Sequence, residues 1–212
     1  MKLLFENWRR YLNEESAKPY TVPHPPEWIE HFGKKMVKGS FDATDHTVGH
    51  VSKGKFTQFD DSRAGSHTAG DPSGVGAGKY NLDSYFGPMF GNDKNNLLHP
   101  EHVKSLGGKY ILTVKINGKF AKMSINDLKG YFPQTLEDGT DVSRAMATSV
   151  KDFKQWLVGQ GYDGVWWHDP GLTNKAGLSA LTSNALSVFS AAKNAEIVAI
   201  RNLETSEVEW KK

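Results

Sequence analysis

The run Tyr110-Ile111-Leu112-Thr113-Val114-Lys115-Ile116 constrains the fold more than any other stretch of this chain. Its β-branched and aromatic side chains lose rotamer freedom in a helix and pack well on a pleated surface, so it reads as a strand and commits the chain to a sheet. It ends in Asn117-Gly118, the pair best suited to a two-residue β-turn, and Lys119–Met123 follows. The expectation is therefore a hairpin, 110–116 turned back onto 119–123.

Helical patterns flank this strand pair. Residues 26–37 begin at Pro26 and carry Trp28, Ile29, Phe32 and Met36, so a short helix is expected there. Residues 125–131 read as another short helix. A longer one at 141–158 puts Met146, Val150, Phe153 and Leu157 on one stripe and stops at Gly159. Further strands are expected at 46–52, 55–60, 77–81, 163–168, 185–190 and 195–202. The class is thus α+β.

The N-terminus is set apart. Leu4, Trp8, Tyr11 and Leu12 fall at helical spacing over 1–15, opposite Lys2, Glu6, Arg9, Arg10 and Glu14. Pro19, Pro23, Pro25 and Pro26 then make 16–26 a Pro-rich linker, because dense proline cannot continue a helix. The main domain is expected at 27–203, and the charged stretch 204–212 as a solvated tail.

Composition narrows the chemistry. Among 212 residues there is no cysteine, so disulfides, a thiol nucleophile and thiolate metal ligands are excluded. A formal charge of +2 gives no general reason for nucleic-acid or anionic-membrane binding, and no apolar run is long enough for a membrane helix. Hydrophobic residues at 38% allow a packed core. No internal repeat is evident.

Three short strings carry possible chemistry. Gly161-Tyr162-Asp163-Gly164-Val165-Trp166-Trp167 reads as a helix stop, a turn capped by Asp163 and a strand; structure alone accounts for it. Gly76-Ala77-Gly78-Lys79-Tyr80 is not a phosphate-binding loop, because Ser73 stands where that loop needs glycine and Tyr80 where it needs a hydroxyl residue. It reads as a glycine-flanked turn that lets a flat ligand approach the backbone beside Tyr80, or as a plain loop ending in a core tyrosine. Gly49-His50-Val51-Ser52 puts an imidazole and a hydroxyl on one strand, a pair able to hold ribose hydroxyls, ahead of Phe56 and Phe59-Asp60. A lone histidine is more often structural, and His46 competes for the role. His99-Pro100-Glu101-His102 hints at a metal, but Pro100 and Glu101 suit the first turn of a helix and no third ligand stands nearby; no metal is expected.

Taken in order, His-x-Ser, Phe-Asp, Gly-x-Gly-x-Tyr, the hairpin expected at 110–123, Gly-Tyr-Asp-Gly-Val and a closing strand resemble the ADP-ribosyltransferase fold, in its His–Tyr–Glu branch of phage and toxin type, over roughly 46–202. The resemblance implies a split β-sheet with flanking helices, NAD as substrate, and transfer of ADP-ribose to a host macromolecule. It assigns His50 with Ser52 to the ribose and Tyr80 to stacking on nicotinamide. Gly76 and Gly78 would form the backbone approach, and Tyr85, Phe86 or Phe90 the second aromatic. Two positions depart from the family. Val51 follows the histidine where glycine is usual. The register of the family's glutamate falls at Ala185, with Asn184 beside it, so Asn184 stands where the acid is expected. Asparagine carries no charge to favour a cationic transition state, and losing such a group typically lowers the rate by about 10² to 10³.

Met1–Glu14 resembles the capsid-targeting peptides of phage internal head proteins, which a maturation protease cuts after Leu-x-Glu, here Leu12-Asn13-Glu14. That implies packaging with prohead components and action inside the virion or the host cytoplasm, without a membrane. The alternatives are an ordinary docking helix for 1–15, and a non-catalytic head protein that uses the same fold for packing or partner binding.

Overall fold

In a computed structural model the described residues are 24–63, 86–91, 107–124, 127–128, 131, 143–167 and 185–212. The helix expected at 1–15, most of the linker, the strand expected at 77–81 and the 99–102 cluster lie outside them.

The elements run α1 (Pro26–Met36), β1 (Ser40–Ser52), a 3₁₀ turn (Asp61–Arg63), β2 (Met89–Phe90), β3 (Tyr110–Met123), α2 (Ser143–Gly159), β4 (Gly164–Trp167), β5 (Ala185–Val188), α3 (Ala191–Asn194), β6 (Ala195–Asn202) and β7 (Val208–Lys211). Asp127, Leu128 and Tyr131 are helical, within the helix expected at 125–131. Among the described residues no helix is long and apolar enough to cross a membrane.

The expected hairpin is one strand. β3 spans 14 residues and its two halves do not fold onto each other. Their common partner is the 13-residue β1, antiparallel from Ser40↔Ala121 to Ser52↔Tyr110. The glycine's freedom serves a bulge instead of a turn: Gly118 sits at φ 140, Asp45 on the facing strand at φ 49, and the Asp45 N–H donates to Asn117 Oδ1 at 2.8 Å. The register slips there, between Ala43 and His46. On its other edge β3 forks. Tyr110–Ile116 pairs with β6 antiparallel, and Phe120–Met123 pairs with β4 in parallel.

The mixed sheet then curls. The strands run β2-β5-β4-β3 with β1 on β3, and the ring closes where Gly49 and Gly91 exchange backbone hydrogen bonds of 2.5 and 2.9 Å. Alternation along each strand gives two cores. Ala43, Val48, Phe90, Leu112, Val114, Ile116, Phe120, Leu186 and Val188 fill the curl. Ala121, Met123, Val165, Trp167 and Ala185 face outward, under α1 and α2. Trp166 and Trp167 fall on opposite faces, as successive strand residues must. Buried Trp167 keeps its indole N–H satisfied by Ser187 Oγ at 2.8 Å.

The two helices meet through Gly33, where an added Cβ would lie 2.6 Å from the Trp156 ring. Val150, Phe153 and Leu157 bury the expected α2 stripe. Already at His24 the chain packs on this layer. The His24 N–H donates to Ser149 Oγ at 2.9 Å, and its ring stands edge-on to Trp28 at 3.7 Å.

The Gly161–Trp167 string is a structural knot. Gly161 at φ 80 ends α2 with Tyr162 N–H donating to Leu157 O and Gly161 N–H to Val158 O, a Schellman closure. Asp163 Oδ2 accepts from Lys119 N–H at 3.0 Å and Oδ1 from Asn194 Nδ2 at 3.2 Å, tying the fork of β3 to α3. The charged end contributes β7, antiparallel to β6, while Glu207, Glu209 and Lys211 stay exposed.

Candidate functional site

β1 carries His46, Val48, His50 and Ser52 on its inward row, His46 next to the bulge in mid-strand and His50 near the strand's end. His46 packs on Phe41 at 5.1 Å. His50 lies by the Gly49–Gly91 closure, half-buried, with Nδ1 2.9 Å from the Met89 carbonyl oxygen. A carbonyl only accepts, so Nδ1 carries a proton and donates to it.

Phenylalanines surround this imidazole. Ring centroids lie 5.3 Å away for Phe90, 5.6 Å for Phe59 and 6.5 Å for Phe56. Phe59 also packs edge-on to both Phe56 and Phe90 at 5.3 Å. Phe90 comes from β2, whereas Phe56 and Phe59 come from residues 53–63, expected as a strand at 55–60 but irregular in the structure. The spacing of three between these phenylalanines breaks the two-residue period a strand needs, and both turn toward His50.

Of the residues singled out in sequence, His50 and Phe90 are brought together. Ser52 is on the same strand row but buried, and its hydroxyl closes the turn out of β1: Oγ donates to Gly54 O at 2.7 Å and accepts from Gly54 N–H at 3.2 Å. Phe86 faces the other core, 5.3 Å from Trp167. Gly76, Gly78, Tyr80, Tyr85 and Asn184 lie outside the described residues.

The start of β5 places one of the two positions considered for an acid. Ala185 is 0% exposed, opposite Trp167 in register, and points into the outer core with Phe86 and Phe153. Leu186 points into the curl and stands opposite Phe90. A side chain at 185 therefore faces away from His50.

Nearby charges are organised around this wall. The Lys55 ammonium pairs with Glu209 of β7 and lies 5.6 Å from the Tyr110 ring centre. The hydrogen bond to Glu209 raises the Lys55 pKa. Bonds from Lys55 and Asn202 lower that of Glu209. Asp61 accepts from Ser190 Oγ at 2.6 Å and from Ala192 N–H at 3.0 Å. Lys154 of α2, over the Phe189 ring at 5.3 Å, is held below the usual lysine range by burial, against the opposing pull of Asp61. The Met89 carbonyl and the Asp61 contacts escaped sequence reading. A backbone acceptor has no residue signature, and the Asp61 partners are more than a hundred positions away in the chain.

Comparison of the chain with known protein families, with curated proteins and with solved structures finds no match.

Proposed function

We propose that this chain is an NAD-dependent ADP-ribosyltransferase of phage type, with its nicotinamide–ribose site at His50 in the mouth of a split β-sheet. One observation carries the reading: an imidazole, proton fixed on Nδ1 by Met89 O, sits among Phe56, Phe59 and Phe90. An imidazole suits hydrogen bonding with a ribose hydroxyl, and aromatic walls suit a flat nicotinamide ring. The resemblance in sequence assigns Tyr80 to stacking on nicotinamide and Asn184 to the acid's position. In the reaction the bond from ribose C1′ to the nicotinamide nitrogen breaks. Nicotinamide leaves with the electron pair, and a nucleophile of the host macromolecule bonds to C1′ and gives up its proton. Asn184 leaves the cationic transition state without a fixed negative partner, so turnover is slow.

The burial of Ala185 in an apolar core favours a second reading, an internal head protein that keeps the fold for packing or partner binding without turnover. Both are tested by melting the protein with and without NAD and by measuring nicotinamide release. NAD raises the melting temperature only if it binds the native state. A shift with release supports the enzyme, a shift without release supports a binding protein, and no shift removes the NAD site.

A further inference from the structure

Residues 53–63 cross the mouth of the curl as a strap, fixed at both ends and without strand pairing between Gly54 and Asp60. At the near end Ser52 closes the turn on Gly54. At the far end Asp60 Oδ1 accepts from Ser62 N–H at 3.0 Å and from Ser62 Oγ at 2.6 Å, a tight local turn that aims the next residue, Asp61, out of the strap. Its carboxylate crosses to Ser190 and Ala192, on the segment that leaves β5. That strand places Leu186 opposite Phe90, so the latch joins both sides of the aromatic box. Between the anchors stand Phe56 and Phe59, two of the three rings around His50.

We infer that Asp61 is a positioning residue for the His50 site: its bonds to Ser190 Oγ and Ala192 N–H hold the strap so that Phe56 and Phe59 wall the imidazole and any flat ring bound beside it. Asp61 is exposed, so its removal leaves no cavity, and the bonds it makes are charge-assisted ones that only a carboxylate supplies in pairs. A wall held through a surface latch is one that opens when the latch is cut, while the cores on either side of the sheet stay packed. The identity of the ligand rests on the NAD reading; the latch itself does not.

The experiment compares wild type with Asp61→Ala, Asp61→Asn and Ser190→Ala. The first readout needs no ligand: the chemical shift of the His50 Hε1 proton, which the ring currents of the surrounding phenylalanines displace. Asp61→Ala is expected to move it toward the value of a free histidine, Ser190→Ala, which keeps the bond from Ala192 N–H, to move it part of the way, and Asp61→Asn, whose amide still accepts from Ala192 N–H and donates to Ser190 Oγ but without charge, to move it less. The second readout is NAD affinity, expected to weaken about tenfold in Asp61→Ala and by less in the other two. If Asp61→Ala fails to fold, Ser190→Ala carries the test. A lowered melting temperature with an unmoved Hε1 shift in the folded variants overturns the inference and leaves Asp61 a stability residue only. If wild type does not bind NAD, the NAD reading fails and the proton shift still decides the latch.

Discussion

Replacing Gly164 with alanine is the sharpest stability test of the knot that joins α2 to the sheet. A Cβ at this position overlaps the Ser187 carbonyl oxygen and lies 2.7 Å from the Phe120 ring, where ordinary contact begins at 3.4 Å. Neither neighbour yields easily: Phe120 is fully buried in the curl, and Ser187 is backbone of the paired strand β5. Overpacking of this kind costs about 1–3 kcal/mol for side-chain shifts alone, occasionally more. Moving backbone as well sets the expectation for Gly164→Ala at the upper end, about 3 kcal/mol net of the roughly 0.4–1 kcal/mol that alanine contributes by restricting the unfolded chain. For a chain of this size that is a fall in melting temperature of about 6–12 °C. Two glycines just before it in the chain calibrate the result. Gly159 has open space around it and no positive φ, so Gly159→Ala is expected to be neutral or slightly stabilising. Gly161 also has open space but sits at φ 80, so Gly161→Ala is expected to cost only the left-handed penalty, about 1 kcal/mol. Urea unfolding of the three variants gives the order. A Gly164→Ala midpoint equal to wild type, or a Gly161 effect larger than the Gly164 effect, refutes the close approach of β4 to Phe120 and β5.

Three further outcomes are expected, the first two from the packing and the third from the NAD reading of the sequence. Burial holds the His24 pKa at about 4, below its ordinary 6.5; the unfolded chain therefore takes up the proton first as pH falls. Stability from neutral His24 is full above pH 6.5 and is lost between there and pH 4, on the order of 3 kcal/mol, and urea midpoints at pH 7 and 4.5 should show a flatter dependence in His24→Gln. Ala185→Glu places a carboxylate in a fully apolar layer and should destabilise by several kcal/mol in thermal unfolding, or fail to fold, without increasing nicotinamide release. Asn184→Glu is the variant expected to speed nicotinamide release, by about tenfold or more, which equals at least roughly 1.4 kcal/mol of transition-state stabilisation; no gain would remove position 184 from the reaction.

Much of the fold could be read from local chemistry. The α2 stripe of Val150, Phe153 and Leu157 needed only helical period, while the stop read at Gly159 falls two residues later, at the left-handed Gly161. The misreadings share a cause, which is that local signals do not name the partner. Asn117-Gly118 serves a bulge as well as a turn, and the length of β1 decided between them. Val208–Lys211 looked like a solvated end because its side chains are charged, yet its backbone pairs with β6. The same holds at the site. His50 and Phe90 were legible as residue types in order, but the Met89 carbonyl that accepts from Nδ1 and the Asp61 latch depend on segments brought together by the curl.

Calorimetric titration of NAD into wild type and His50→Ala tests the central claim most directly. The account predicts saturable binding to wild type at one site per chain. It predicts a loss of at least about tenfold in affinity, or roughly 1.4 kcal/mol, in His50→Ala, with the cores of the variant still cooperative in unfolding. Absence of heat in wild type, or equal affinity in the two proteins, would contradict the assignment of the His50 mouth as an NAD site.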